Sequence, residues 1–165
     1  MNHVTKLINE MIKFFSGDVK RINHFLKVHS YAKLIMDLEN INNGLCNIIE
    51  VAALTHDIGI KICEEKYNTC SEKYQEIMGP SAAKKMLKQL GYDGGLIERV
   101  CYLVGHHHTY TNIDGIDYQI LIEADLLVNI YEKMLTKEEI IKIRDTIFKT
   151  KTGTRLINEL FLRTN

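Results

Sequence analysis

Along nearly the whole 165-residue chain, apolar side chains recur at intervals of three and four, and the residues that break such a pattern, one proline and ten glycines, are gathered at a few points. A period near 3.6 puts those side chains on one face of an α-helix, whereas a half-buried strand would alternate with a period of two. The pattern predicts an all-α, compact helical bundle of about eight helices with no sheet. The first helix spans residues 3–15 and is stopped by Ser16 and Gly17. A second begins after Asp18, an N-cap residue type, and runs to about residue 38 with Ile22, Phe25, Leu26, His29, Ala32 and Ile35 on one stripe. After the polar turn NINNG, residues 45–57 are apolar nearly all round, which marks a buried central helix.

Residues 58–74 (IGIKICEEKYNTCSEKY) have weak periodicity, which points to a loop with short helical pieces, a natural wall beside a site. Pro80 suits the first turn of a helix ending at Gly91, because a proline there forfeits no helical hydrogen bond. Helices follow at 96–107, 118–134, 137–148 and 153–162, with 109–117 as a loop. No repeat and no Pro/Ser-rich linker divides the chain, so one domain over residues 1–165 is expected, with its core at 18–135 and C-terminal helices at 137–162.

Hydrophobic residues at 45% and charged residues at 25% are ordinary for a globular chain and exclude extensive disorder. Twenty-one basic residues balance twenty-one acidic ones, so no overall field draws the protein to nucleic acid or an anionic membrane. The six Lys/Arg of residues 140–165 read as a solvated face. Cys46, Cys63, Cys70 and Cys101 are irregularly spaced and form no C-x-x-C pair, and the N-terminus lacks the order of a secretory signal. Reduced thiols and a cytoplasmic location are expected, and no apolar run approaches the roughly 20 residues that span a bilayer.

The strongest local signal is ALTHDIG, in which His56 and Asp57 end an otherwise apolar helix. An unpaired buried carboxylate costs several kcal/mol, and a metal cation is an effective compensation. His29 shares a face with Phe25, Leu26 and Ala32, and Asp125 lies one turn from Leu121 and Val128, so three helices each bury a group capable of ligation. Each alone is more simply a satisfied core residue; together they are more simply explained by one shared ion. Imidazole and carboxylate donors without thiolate suit Fe, Mn, Co, Ni or Zn, with Mg less favoured, and leave coordination positions open for water and substrate.

The order His29, His56-Asp57, Asp125 resembles the H…HD…D signature of the HD-domain superfamily of metal-dependent phosphohydrolases. The likeness runs from INHFLKVHSYAKLI through HDIG to EADLLVN. It implies that His29, His56, Asp57 and Asp125 hold a divalent metal, with His56 and Asp57 catalytic and Asp57 placed to orient or deprotonate the attacking water. In GHHHTY, His106 and His107 are expected near the pocket, binding substrate phosphate or a second metal as the paired histidines do in HD-GYP phosphodiesterases, with Lys61 as a further phosphate contact. His108 is expected outside. Gly79 precedes Pro80 where HD-GYP proteins carry a histidine, which favours one ion over two, and the GYP tripeptide is absent, so cyclic dinucleotides are not indicated. Glu72 and Glu76 are open as replacement carboxylates. His3 and His24 are assigned to surface or packing.

The expected activity is hydrolysis of a nucleotide or other small phosphate ester through metal-activated water. The alternatives are an HD-type di-iron oxygenase and a non-catalytic ligand-binding or sensor module. A small phosphorylated substrate is the expected partner, neither nucleic acid nor membrane is, and assembly with further copies of the chain is open.

Overall fold

A computed structural model describes residues 3–68 and 71–163. Its described residues form α-helices and no strand, and the fold follows the apolar periodicity. Helix α1 (His3–Phe14) buries Leu7 and Met11. Helix α2 (Val19–Leu38) starts where the Asp18 side chain accepts from the Arg21 N–H, and it buries His24, Val28, Ala32 and Ile35 along one line. Helix α3 (Asn43–Thr55), capped by Asn42, is buried from Val51 to Thr55, as an all-round apolar run requires. After α4 (Gly59–Tyr67), α5 (Glu72–Gln89) and α6 (Gly94–Val104) comes α7 (Ile116–Glu132), buried continuously from Asp117 to Val128. Helix α8 (Lys137–Ile147) opens with a Thr136/Glu139 capping box, and α9 (Lys151–Ile157) continues into a π-helical turn at Asn158–Leu162. Helices α2, α3 and α7 pack on one another, α3 also meets α1 and α6, and α5 lies against α4 and α6.

Two expectations differ from the structure. Residues 58–74 are largely helical: α4 occupies Gly59–Tyr67 and α5 already begins at Glu72. The periodicity is weak there because α4 buries only Gly59, Ile60 and Cys63, and glycine carries no hydrophobic signal. Pro80 consequently lies inside α5, not in its first turn. It has no N–H to give the Glu76 carbonyl, and the end of α6 fills the space: a Cβ on Gly105 would stand 3.1 Å from Pro80 Cγ and 3.5 Å from Glu76 O. No helix among the described residues is long and apolar enough to cross a membrane. Cys46, Cys63 and Cys101 are free thiols, and Cys70 lies outside the described residues.

The contact that positions the site is between glycines. A Cβ on Gly59 would lie 2.7 Å from Gln75 O and 2.9 Å from Gly79 N, and one on Gly79 would lie 2.6 Å from Val104 Cγ1. A side chain at residue 59 would push α4 off the backbone of α5, and one at residue 79 would require Val104 to shift. Gly59→Ala meets backbone atoms that cannot rotate away, so it is expected to lower stability by about 1–3 kcal/mol in urea denaturation, whereas Gly94→Ala, with nothing within 4 Å of its Cβ, is expected to be neutral or slightly stabilising.

Candidate metal centre

Four segments deliver acceptor atoms to one place. His24 comes from the first turns of α2, His56 from the end of α3, Asp57 from the turn into α4, and Asp125 from the middle of α7. His24 Nε2 lies 3.3 Å from His56 Nε2, 3.1 Å from Asp125 Oδ1 and 3.5 Å from Asp57 Oδ2. His56 Nε2 lies 3.5 Å from both Asp57 Oδ2 and Asp125 Oδ1. On the other side of Asp57, His107 Nε2 stands 3.4 Å from Oδ1; it is buried and makes no hydrogen bond.

The opposite nitrogen of each ring settles what these atoms are. His24 Nδ1–H donates to Glu132 Oε2 at 2.9 Å, His56 Nδ1–H to Ala53 O at 2.9 Å, and His107 Nδ1–H to Val104 O at 2.8 Å. Carbonyl and carboxylate oxygens only accept, so in each neutral ring Nδ1 carries the hydrogen and Nε2 presents a bare lone pair. Three imidazole lone pairs and two carboxylates therefore face one another with no donor between them. Such a set is repulsive unless a proton or a cation occupies the centre. Burial alone would lower the His56 pKa, but Asp57 and Asp125 outweigh it and lift the ring to about 9. Burial would raise the Asp57 and Asp125 carboxyls, yet the surrounding imidazoles hold both far below the usual carboxylate range.

The ligand-type atoms of His24, His56 and Asp57 lie within 4.8 Å of one another, and so do those of Asp57, His107 and His108. Asp57 thus belongs to two overlapping triads. His108 Nε2 is 3.0 Å from Gln75 Oε1, and its backbone N–H donates to Glu76 Oε1, which also accepts from Thr109 Oγ1. Burial, and then the neighbouring His107, push His108 down to about 3, so its ring is neutral at ordinary pH. The loop that carries it is fixed from below: Tyr118 Oη lies 2.6 Å from His106 O and Thr109 O, and Arg99 pairs with Asp114 and Asp117.

Several expected residues lie elsewhere. His29 bonds Glu50 Oε1 at 3.1 Å and stays outside the cluster; His24 takes the place expected of it. The two are five residues apart on α2, about 140° around the helix, so only one can face α7. Lys61 Nζ donates to Phe14 O at 2.6 Å and lies over the Phe14 ring, tied to α1 rather than aimed at the site. His106 turns away, bonding Tyr102 O and stacking on the Tyr102 ring, while His108, expected outside, joins the second triad. Glu76 holds the His108 backbone N–H and the Thr109 hydroxyl, and Glu72 Oε1 is 4.0 Å from His108 Nδ1. His56, Asp57, Asp125 and His107 are brought together in one cluster. Glu132 was not anticipated, although its spacing of seven from Asp125 puts both on one face of α7. For His24 the available signal was its spacing of four and eight from Val28 and Ala32.

Residues 21–149 match the sequence profile of the HD domain. No curated protein matches the chain. Among solved structures, the crystal structure of a predicted HD superfamily hydrolase from an uncultured Thermotogales bacterium superposes with a TM-score of 0.69 at 22% identity, covering 97% of this chain and 86% of that one.

Because His24 and not His29 faces the cluster, His24→Ala is expected to abolish tight binding of a divalent transition ion in calorimetry, while His29→Ala retains it. Glu132→Ala, which frees the His24 ring to turn, is expected to weaken binding about 10–100-fold. In metal-free protein the folded pKa of His56 lies above its ordinary value of 6.5, so protonated His56 contributes stability that is complete below pH 6.5 and lost as pH rises through about 9. The thermal midpoint of the metal-free form should accordingly fall by roughly 5–10 °C over that window.

Proposed function

We propose that this chain, which belongs to the HD-domain family, is a metal-dependent phosphohydrolase acting on a nucleotide or other small phosphate ester. The observation that carries the reading is the convergence of Nε2 lone pairs from His24, His56 and His107 on the carboxylates of Asp57 and Asp125, each ring held by a bond at Nδ1. The donors fit a divalent transition ion: they are imidazole and carboxylate, no thiolate joins them, and the buried Nε2 of His107 is without a partner.

His24, His56, Asp57 and Asp125 would hold one ion, and Asp57, His107 and His108 offer a second position that shares Asp57. When bound, such an ion polarises a phosphoryl oxygen and lowers the pKa of water toward neutrality. Of the residues around the first position, Asp57 reaches the open cleft while His56 and Asp125 are buried. Its carboxylate, ionised at any working pH, accepts a hydrogen bond from an incoming water and aims the water's oxygen at phosphorus. Glu132 keeps His24 in the tautomer that leaves Nε2 free, and Lys27, 2.6 Å from Glu132 Oε1, keeps Glu132 ionised.

Asp57→Asn keeps the size of the side chain and removes its charge. It is expected to lower hydrolysis of p-nitrophenyl phosphate by at least about a hundredfold, and a rate equal to the parent's would remove the reading. The shared position of Asp57 also suits an oxygenase with two irons, the second reading. Elemental analysis with an oxygen electrode separates them: two irons per chain together with oxygen consumption would put the oxygenase first.

A further inference from the structure

A cleft of about 260 Å³ opens beside the site, and His24 and Asp57 form part of its wall. Most of the rest of the wall comes from the same two helix faces that carry His24 and Asp125, with Asp18 at the start of α2 and Ile60 of α4 completing it. On α2, Lys20 and Arg21 precede His24 by four and three residues; on α7, Asn129 follows Asp125 by four, and Lys133, the C-cap of that helix, by eight. One or two helical turns therefore separate the candidate metal ligands from three cations, Lys20, Arg21 and Lys133, which share the wall with the carboxylates of Asp18 and Glu132.

The charges in that wall are not equivalent. Arg21 is committed, its guanidinium bonding Glu64 at 2.6 and 3.0 Å and Asp18 at 2.5 Å. Both oxygens of Glu132 are committed to His24 and Lys27. Lys20 and Lys133 are exposed and their ammonium groups take part in none of the ion pairs or hydrogen bonds among the described residues, so two ammonium groups and the Asn129 amide line the cleft with capacity to spare. Apart from the His24 imidazole, no aromatic ring lines it, and its volume is at the small end for a ligand site, so it suits a compact polar group better than a base or sugar. The opposite flank of the site, beyond His108, carries the carboxylates of Glu72 and Glu76. An anion is favoured on the α2/α7 side.

We infer that this cleft binds a second, non-reacting phosphoryl group of the substrate, read by Lys20 and Lys133, so that the favoured substrates are phosphoanhydrides rather than simple monoesters. The inference rests on the phosphohydrolase reading above and names its substrate class. In the reaction, water's oxygen bonds to the phosphorus held at the metal-ligand cluster and the bridging P–O bond breaks. The leaving phosphoryl group departs with the bridging oxygen from the Lys20/Lys133 side, and a proton is released to solvent. Adenosine diphosphate would give adenosine monophosphate and inorganic phosphate.

The test uses metal-loaded parent and a Lys20→Met/Lys133→Met variant, with adenosine diphosphate and p-nitrophenyl phosphate as probes. Losing two charge-assisted contacts should lower the ratio of kcat/KM for the diphosphate to that for the aryl phosphate by about 10–100-fold, mostly through KM. The thermal midpoint and metal content report that the variant is folded and loaded. An unchanged ratio overturns the inference, as does a parent that fails to bind adenosine diphosphate in calorimetry. If the parent binds the diphosphate, hydrolyses neither probe, and the variant binds it at least tenfold more weakly, the subsite stands and the phosphohydrolase reading falls.

Discussion

The structure depends on a repulsion that a proton or a cation at its centre must relieve. Three imidazole nitrogens with free lone pairs and two carboxylates are pressed together in the core, where low polarity magnifies the cost of leaving them uncompensated. What keeps the rings from turning away is the set of bonds at Nδ1. Two of those acceptors, Ala53 O and Val104 O, lie in the last turns of α3 and α6, where carbonyls have no helical donor of their own. A histidine just past a helix end thus satisfies an orphan carbonyl with one nitrogen and presents the other as a ligand. The third acceptor, Glu132, belongs to α7 and crosses to α2.

The glycine of the HDIG stretch has its own part in this. Asp57 sits in the turn between α3 and α4, and the direction of α4 decides where the carboxylate points. Gly59 lets α4 lie directly on the backbone of α5 near Gln75 and Gly79, and Gly79 lets α5 lie on α6 at Val104. That stacking brings Gln75 and Glu76 over the end of α6, where they hold the ring and backbone N–H of His108 and the hydroxyl of Thr109. The second triad at Asp57 is therefore a consequence of close helix packing. The absence of a side chain at residue 79, which by itself argues for one ion, is what lets His108 approach.

Charge is distributed about the site with a direction. Lys20 and Lys133 stand on the α2/α7 side, Glu72 and Glu76 on the α5 side, with the ligand-type cluster between them. A chain of zero net charge can hold such a local field, because composition sums over the surface and a cleft samples only a few residues.

The sequence by itself determined the helical class, most element boundaries, and the pairing of His56-Asp57 with Asp125, because those signals are local: periodicity, caps, and carboxylates inside apolar stripes. It also marked GHHH as chemical, but it could not rank the members. His24 and His29 both lie near the apolar line of α2, and which one faces α7 depends on the rotation of α2 in the bundle. Lys61 and His108 were misplaced for the same reason, since each side chain's partner lies on another helix, Phe14 for Lys61 and Gln75 for His108, while His106 folds back on Tyr102 in the last turn of α6. Only the tertiary packing decided these, since helix rotation and the Gly59–Gly79 approach are set by how whole faces fit together, not by any local run of residues.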